Sequence, residues 1–220
     1  MSQPLVSCIM PTANRQKYIP LAIKHFLRQD YPNKELVIVD DGKESIAPLL
    51  PKDHRIKYFY TPPLGTIGAK RNYACQQANG DIIMHMDDDD YFASDWISRQ
   101  VHFLTTSNAD ICGIEHVHFF SPITDTLWLG TALNRNNPAV PQWLNGATLA
   151  YWKSFWQLHP FEGRQTAEDD KFVTKTGAKV FAHDYIDGCV VILHQHNTTT
   201  KYFEESRHKK TELLILPSQT

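Results

Sequence analysis

Four consecutive aspartates, Asp87, Asp88, Asp89 and Asp90, are the residues of this chain whose types and spacing most clearly suggest chemistry. Their carboxylates repel one another at neutral pH and are costly to bury unless a cation offsets the charge. The apolar run at residues 82–86 predicts a buried strand directly before them. In an extended segment Asp87 and Asp89 would share one face, and two such hard oxygen ligands suit Mg²⁺ or Mn²⁺. The alternative is a solvated acidic turn that leads into the next helix, with Asp90 at its start.

A calcium-binding loop is excluded, because its spacing requires Gly at position 92 and Glu at position 98, where the chain has Phe92 and Ser98. A second motif, at residues 65–71, places two glycines before Lys70 and Arg71 at a predicted helix start. Backbone N–H groups and cations in such an arrangement hold a diphosphate. The motif has neither the spacing of a P-loop nor that of G-x-G-x-x-G, so it does not specify a nucleotide by itself.

Three further groups of polar residues allow both a functional and a structural interpretation. Asp41 ends a predicted strand, where its carboxylate either accepts the N–H of a nucleobase or forms an Asp-Gly turn with the next residue. The acidic residues 168–170 open a predicted helix, which the helix dipole alone would favour, or they supply a general base. His194 and His196 follow a late strand and share one face, either as metal ligands or as ordinary histidines.

The elements that position these residues follow a β-α-β-α-β order. Hydrophobic patterning predicts strands at residues 5–10, 35–39, 55–60, 81–86 and 111–120, and helices at 18–29, 69–78 and 94–105, the last capped by Ser94. The expected fold class is therefore α/β, a single domain with a mostly parallel open sheet and helices on both faces. Ligands of such sheets bind beyond the carboxyl ends of the strands, which is where the motifs above lie.

The second half of the chain is less regular. We expect a long loop at residues 121–141, helices at 149–158 and 168–176, and strands at 179–181 and 188–193. Its tryptophans either stack on sugar rings or belong to the core; they are Trp128, Trp143, Trp152 and Trp156. The charged and then apolar tail at residues 201–216 either contacts a membrane surface or forms a packed or frayed terminal helix.

The composition bounds the partners. A net charge of −2 and a pI of about 6.6 exclude a general electrostatic attraction to nucleic acid. No segment has the roughly 20 consecutive apolar residues of a transmembrane helix. Four dispersed cysteines without a C-x-x-C pair favour reduced, buried thiols and a cytoplasmic location, at the inner face of the membrane if the tail contacts it.

Taken in order, these motifs resemble the family-2 glycosyltransferases of the GT-A fold, from about residue 5 to residue 199. The matching segments are residues 6–15, 36–42, 68–72, 79–90, 145–147, 168–170 and 194–198. The resemblance implies a nucleotide-sugar-binding half at residues 1–120, an acceptor-binding and catalytic half at 121–200, and a tail at 201–220.

The resemblance also implies a role for each matched residue. Pro11, Thr12, Ala13, Arg15 and Asp41 would line the nucleotide pocket, Lys70 and Arg71 would lie near the donor, and Asp87 and Asp88 would contact ribose or metal-bound water. Asp89 would be the metal ligand, joined by His194; Asn145, Gly146 and Glu168 would lie on the acceptor side, and Asp169 would be the catalytic base. Ala13 departs from the family, which usually has an aromatic residue there to stack on the base, an interaction of roughly 1 kcal/mol.

The implied reaction is an inverting transfer of a hexosyl or N-acetylhexosaminyl group from a UDP-linked sugar to a hydroxyl of a glycan, glycolipid or other acceptor, assisted by Mn²⁺ or Mg²⁺. The Q-x-x-R-W motif of processive synthases is absent after Asp169, which favours addition of one sugar per encounter. Two alternatives remain: an inactive homologue that only binds a nucleotide sugar, and a sugar nucleotidyltransferase. The second would require a glycine-rich signature near the first strand, and residues 11–15 contain no glycine.

Overall fold

A computed structural model describes residues 3–130, 144–175, 177–195, 197 and 208–211 of the chain. Its strands are β1 (Val6–Thr12), β2 (Lys34–Asp40), β3 (Ile56–Tyr60), β4 (Ile82–His85), β5 (Tyr91–Phe92), β6 (Ile111–Ile114), β7 (Val117–Ser121), β8 (Thr126–Gly130), β9 (Ala150–Trp152), β10 (Val180–His183), β11 (Cys189–Ile192) and β12 (His208–Thr211). Its α-helices are α1 (Ile19–Leu27), α2 (Ile67–Gln77), α3 (Trp96–Thr106), α4 (Lys153–Leu158) and α5 (Glu168–Val173). Short 3₁₀ turns lie at Ala47–Leu49, Gly146–Thr148 and Ile186–Gly188.

Seven strands form the central sheet in the order β10-β6-β9-β4-β1-β2-β3. All neighbouring pairs are parallel except those of β9, which runs antiparallel to both β4 and β6. Two interior strands, β1 and β2, are buried at every position, as expected for parallel strands covered on both faces. The predicted α/β fold with a mostly parallel sheet is confirmed.

Helices cover both faces of this sheet, because alternate strand residues point to opposite sides. One hydrophobic cluster combines Cys8 and Met10 of β1 with residues of α1 and α3. The other combines Ile9 of the same strand with residues of α2, α4 and α5. Each cluster draws on both halves of the chain, and the division near residue 120 stays a prediction.

A second sheet brings the late part of the chain to the aspartate run. Its five strands lie in the order β12-β8-β7-β11-β5. Strand β5 begins directly after Asp90 and pairs antiparallel with β11, through Cys189 and Phe92. The segment that follows β11, with His194, is therefore held beside the aspartates.

Several sequence-based boundaries were wrong in the second half. Residues 121–130 are not part of a long loop, because β7 and β8 pair as an antiparallel hairpin; residues 131–143, with Trp143, lie outside the described part. The predicted strand at 111–120 is two strands, β6 and β7, in different sheets. Residues 149–158 are not one helix, because Ala150 and Tyr151 pair with both β4 and β6 before α4 begins.

The helix after the aspartate run begins at Trp96, with Asp95 rather than Ser94 at its N-cap and no side-chain cap. Of the tail, only residues 208–211 are described, and they form β12 against β8 instead of a helix. All four cysteines are buried and free, as expected. Within the described ranges, no helix is long and apolar enough to cross a membrane; the longest, α2 and α3, have 11 residues each.

Helix α2 approaches the segment at residues 162–164 so closely that only glycine fits at the contact. Gly68 donates its backbone N–H to Arg164 O at 3.1 Å. A Cβ at position 68 would lie 2.0 Å from the backbone oxygen of Glu162. Because that atom belongs to the backbone, the clash can be relieved only if the two segments separate.

We expect Gly68→Ala to lower the free energy of unfolding by about 2–3 kcal/mol, measured by urea denaturation. Alanine is normally the better helix residue by about 1 kcal/mol, so a loss here would report the clash. Gly163→Ala is the matched control, because a Cβ there meets no atom within 4 Å. An unchanged midpoint for Gly68→Ala would contradict the close approach.

Candidate active site

The motifs at the carboxyl ends of the strands surround one pocket of about 370 Å³. Among the described residues, its lining includes seven carboxyl side chains and two arginines, namely Asp87, Asp88, Asp89, Asp90, Glu168, Asp169, Asp170, Arg15 and Arg71. Pro11, Asn145 and Gly146 complete the predicted residues in this lining. The structure thus brings donor-side, metal-side and acceptor-side candidates together.

The aspartate run is a turn and not an extended segment. Residues 88 and 89 lie in the turn, so their side chains do not alternate as expected. One nitrogen of Arg15, Nη1, lies 2.8 Å from Asp88 Oδ1 and 2.6 Å from Asp89 Oδ2. Arg15 also lines the pocket, and its expected role in binding the nucleotide stays a prediction.

Asp90 was expected to start the next turn, whereas it lies buried at the end of the turn formed by residues 88 and 89. Its side chain is only 6% exposed, and Oδ1 accepts a hydrogen bond from Ile192 N at 3.0 Å. Burial, and then the neighbouring carboxylates Asp89 and Asp87, hold the pKa of Asp90 well above its usual range. Asp90 therefore anchors the turn to β11.

Asp88 is also held by the first strand. Thr12 donates its hydroxyl proton to Asp88 Oδ2. Burial raises the pKa of Asp88 to about 6, although the adjacent Arg15 opposes the shift. Burial likewise raises the pKa of Asp89. A bound cation stabilises the charged form of such buried carboxyls, because it offsets both the cost of their burial and their mutual repulsion.

Arg71 links the two halves of the site. Its guanidinium is 5% exposed, with Nη1 3.3 Å from Asp87 Oδ1 and Nε 3.2 Å from Glu168 Oε1. Burial raises the pKa of Glu168, and Arg71 limits that rise. One buried cation thus fixes the aspartate run relative to the start of α5.

Lys70 lies apart from this pocket and faces the predicted base-reading residue. Its ammonium group donates to Asp41 Oδ1 and, at 3.1 Å, to Thr12 O. The other oxygen of Asp41 accepts from Leu64 N at 3.1 Å. Lys70 was expected beside a diphosphate. The geometry does not favour that position, because Lys70 is 8% exposed and bound to Asp41. Ala13 is half-buried in the adjacent loop.

Asp169 is the second residue of α5 and lies against the acceptor-side turn. Its Oδ1 accepts from Asp170 N at 3.0 Å. Its Oδ2 is so close to Gly146 that a Cβ there would approach it to 1.9 Å. Asn145 fixes that turn by accepting from Ala147 N at 3.0 Å. Ala167, directly before α5, has a φ of 59°, a left-handed conformation that costs a non-glycine residue about 1–2 kcal/mol.

His194 reaches the aspartate run, as predicted. Its Nε2 lies 2.9 Å from Asp89 Oδ2, and its ring stacks on Tyr18 at 4.6 Å between centroids. Asn197 accepts from His194 N at 2.7 Å through Oδ1 and places Nδ2 3.4 Å from Asp89 Oδ2. His196 lies outside the described residues.

Asp89 and His194 are the residues that could hold a divalent cation. Asp89 Oδ2 and His194 Nε2 lie 2.9 Å apart, a separation that suits a hydrogen bond and also adjacent ligands of an octahedral ion with bonds of about 2.1 Å; Arg15 Nη1 lies 2.6 Å from the same oxygen. Over the ranges that the structure describes, no group of three or more His, Cys, Asp or Glu residues is arranged to hold a metal. The protein would therefore supply two ligands, and phosphate oxygens and water the others, as is common for Mg²⁺.

The sequence model of the family described as Glycosyl transferase family 2 matches residues 7–167. The chain belongs to this family. The family-2 relationship that the ordered motifs implied is thereby confirmed.

Two relatives of this family-2 protein illustrate the extent of the match. An uncharacterized glycosyltransferase of Haemophilus influenzae is 36% identical over 127 residues, covering 52% of this chain and 51% of that protein. The Campylobacter jejuni protein named GalNAc(5)-diNAcBac-PP-undecaprenol beta-1,3-glucosyltransferase is 33% identical over 117 residues, covering 50% of this chain and 38% of that protein. The match spans about half or less of the length of these relatives.

Solved structures share the fold of this family-2 chain. S. aureus TarS 1–349 in complex with UDP-GlcNAc has a TM-score of 0.67 at 19% identity, covering 90% of this chain and 62% of that one. The mannosyltransferase PcManGT from Pyrobaculum calidifontis, in complex with GDP-Man and Mn²⁺, has a TM-score of 0.65 at 19% identity, covering 90% and 59%. At this identity the likeness shows the GT-A fold alone.

Sequence reasoning missed several residues that organise the site. Tyr18 and Asn197 hold His194, but a tyrosine before a helix and an asparagine after a strand carry no distinguishing pattern. Asp40 holds the backbone around Asp41 in place, because its carboxylate accepts hydrogen bonds from Gly42 N at 2.9 Å and Tyr58 Oη at 2.8 Å. The sequence shows that Asp40 and Asp41 are adjacent, but it does not show that their side chains bind different partners.

We expect Arg71→Met to lower the free energy of unfolding by about 3–5 kcal/mol, because it leaves buried carboxylates without a counter-charge. Adding Glu168→Gln should recover part of that loss in the variant, whereas Glu168→Gln alone should destabilise the wild type. Urea denaturation of the four proteins gives the coupling energy. Additive effects would show that Arg71 and Glu168 do not interact.

Proposed function

We propose that the protein transfers a sugar from a nucleoside diphosphate sugar, UDP-linked, to an acceptor hydroxyl with inversion at the anomeric carbon. The observation that carries the proposal is the shared pocket, in which Asp169 and the aspartate run both line the same space. A base and a leaving-group site must lie on either side of one sugar ring in a single displacement, and the pocket is large enough for a small ligand. Family membership supports the same reaction class.

The donor side of the pocket is built from the ends of β1 and β4, and Asp41, directly after β2, lies outside its lining. Asp87 and Asp88 lie where ribose hydroxyls would bind, with Arg71 beside Asp87 to contact the donor. The base would lie toward Ala13, where Asp41 presents a carboxylate next to the Lys70 ammonium. Adjacent acceptor and donor groups of this kind pair with the imide edge of uracil. Pro11 and Arg15 line the pocket here, and the buried Thr12 supports it through its hydrogen bond to Asp88.

Charge makes a divalent cation part of the proposal. Seven carboxyl groups and two arginines among the described lining residues would repel an anionic diphosphate. Asp89 and His194 are the residues that would hold Mn²⁺ or Mg²⁺ there. Bound in that position, the ion supplies Lewis-acid stabilisation of the negative charge on the departing diphosphate. The imidazole ligand favours Mn²⁺ over Mg²⁺, which prefers oxygen ligands.

Asp169 Oδ2 is the atom that would take the proton. Its partner Oδ1 already accepts from Asp170 N, whereas Oδ2 lies at the acceptor-side turn near Gly146. As Oδ2 accepts the proton of the hydroxyl, the hydroxyl oxygen bonds to the anomeric carbon. The bond from that carbon to the diphosphate oxygen breaks, and its electron pair leaves with the diphosphate. Asn145, Gly146 and Glu168 would orient the acceptor.

The acceptor would be a glycan or a glycolipid that takes one sugar per encounter. The Campylobacter relative is named for an undecaprenol-linked acceptor, which supports a lipid-linked substrate. Contact through residues 201–220 stays a prediction, since most of that tail lies outside the described residues.

We expect Asp169→Asn to keep donor binding and to lower transfer by roughly 10³-fold, because a general base contributes about 10²–10⁴-fold. Donor binding is measured as thermal stabilisation by a panel of UDP- and GDP-sugars with Mn²⁺, and transfer as nucleotide release with p-nitrophenyl glycosides as acceptor hydroxyls. Asp81→Asn, at the exposed start of the strand that leads to the run, is the control. Full turnover of Asp169→Asn would remove it from this role, and binding without turnover in the wild type would favour an inactive homologue.

We expect UDP to stabilise the wild type against heat more in Mn²⁺ than in EDTA. Asp89→Asn should abolish that difference, and His194→Ala should weaken the response to Mn²⁺ more than to Mg²⁺, because only oxygen ligands remain. His54→Ala, whose side chain is 93% exposed, is the matched histidine control. Equal Mn²⁺ responses in all four proteins would exclude a metal at Asp89.

A further inference from the structure

A fully buried histidine lies at the end of β4, just before the aspartate run. His85 is 0% exposed. Its Nδ1 lies 2.6 Å from Gly146 O, and its Nε2 lies 3.3 Å from the hydroxyl of Tyr151. That hydroxyl lies 3.4 Å from Cys75 Sγ. The proposed reaction gives no role to any of the three side chains.

The direction of every hydrogen bond in this chain of groups is determined. A carbonyl oxygen only accepts, so Nδ1 of His85 carries a hydrogen. Burial, and then the positive charge of Arg71, hold the pKa of His85 well below its usual range, so the ring is neutral and Nε2 accepts. Burial raises the pKa of Tyr151 and of Cys75, to about 12 for the thiol, so both keep their protons. Tyr151 therefore donates to Nε2, and Cys75 donates to Tyr151.

This hydrogen-bonded chain ends at Gly146, the residue that packs against Asp169. The carbonyl that His85 holds belongs to Gly146, and Asp169 Oδ2 packs where a Cβ of Gly146 would be. The main chain of β4 makes a second link, because His85 N donates to Leu149 O at 2.9 Å. The 3₁₀ turn Gly146–Thr148 is thus held at both ends by one residue.

We propose that His85 is a positioning residue, which sets the place of the Gly146 turn and through it the position of Asp169 Oδ2 relative to the acceptor. The inference rests on the proposed transferase function. An apolar side chain would fill this volume without any polar group to satisfy. The same strand continues into the aspartate run, so β4 fixes the donor side and the base side of the pocket against one another.

Two amide substitutions separate the two ring nitrogens. The amide of His85→Asn lies near the position of Nδ1 and can still donate to Gly146 O, whereas that of His85→Gln lies near Nε2 and cannot. Asparagine is the smaller residue and leaves the larger void, so it should lower the Tm at least as much as glutamine does. We expect His85→Asn to keep kcat within about threefold of the wild type and His85→Gln to lose roughly 30-fold, with donor binding unchanged in both.

Positioning is supported if His85→Asn has the higher kcat of the two variants although its Tm is no higher than that of His85→Gln. Equal kcat values for the two variants, or kcat values that follow their Tm, overturn it. Long-range ¹H–¹⁵N spectra of the imidazoles, with His85→Asn used to assign the signal, test the geometry without any substrate. A hydrogen on Nδ1 is expected, and a hydrogen on Nε2 overturns the proposal. A wild type with the Nδ1–H ring but no transfer to any acceptor would instead refute the transferase function.

Discussion

An excess of carboxyl groups in one pocket is the constraint on which the rest of the site depends. The fold keeps them together through two arginines with separate tasks. Arg15 neutralises Asp88 and Asp89 within the turn, and Arg71 connects the turn to the start of α5. Seven carboxyl groups face two arginines in the described lining of the pocket, and burial raises the pKa of Asp88, Asp89, Asp90 and Glu168. The acidic excess is therefore limited by protonation as well as by the arginines.

The order of strands in the sheet determines which segments surround the aspartate run. Strand β4 lies between β1, which ends in the loop of Arg15, and β9, which follows the Gly146 turn. Strand β5, directly after the aspartates, pairs with β11 and so carries His194 to the same place. Four stretches that are distant in sequence therefore meet around one strand end. Small displacements of β4 would change all of these contacts at once.

The sequence was informative where local pattern and tertiary role agree. The strands β1 and β2 are continuous apolar runs that end in polar residues, so both their existence and the edge where ligands bind could be predicted. Motif order was sufficient to place Asp89, Asp169 and His194 in one site. In the second half local pattern and tertiary role diverge. The aromatic segment with Tyr151 has no strand signal of its own and is extended only because two strands pair with it.

Side-chain directions in turns were beyond the sequence. Asn14 adopts a φ of 55° directly before Arg15, whose guanidinium binds Asp88 and Asp89. A polar residue inside an apolar strand, such as His85, can be recognised in the sequence, but the sequence does not predict which group it binds. Their partners are backbone carbonyls, which every residue has, so the contact cannot be inferred from residue types.

The antiparallel β9 also has a consequence for how the protein is made. It fills the gap between β4 and β6, yet it leaves the ribosome after both of them. At about 5–20 residues per second, the edge of β6 would stay unpaired for roughly 2–8 s and that of β4 for roughly 3–13 s. Those open edges are templates for non-native pairing with other nascent chains. The strand that places the acceptor turn is thus also the one that closes the sheet during synthesis.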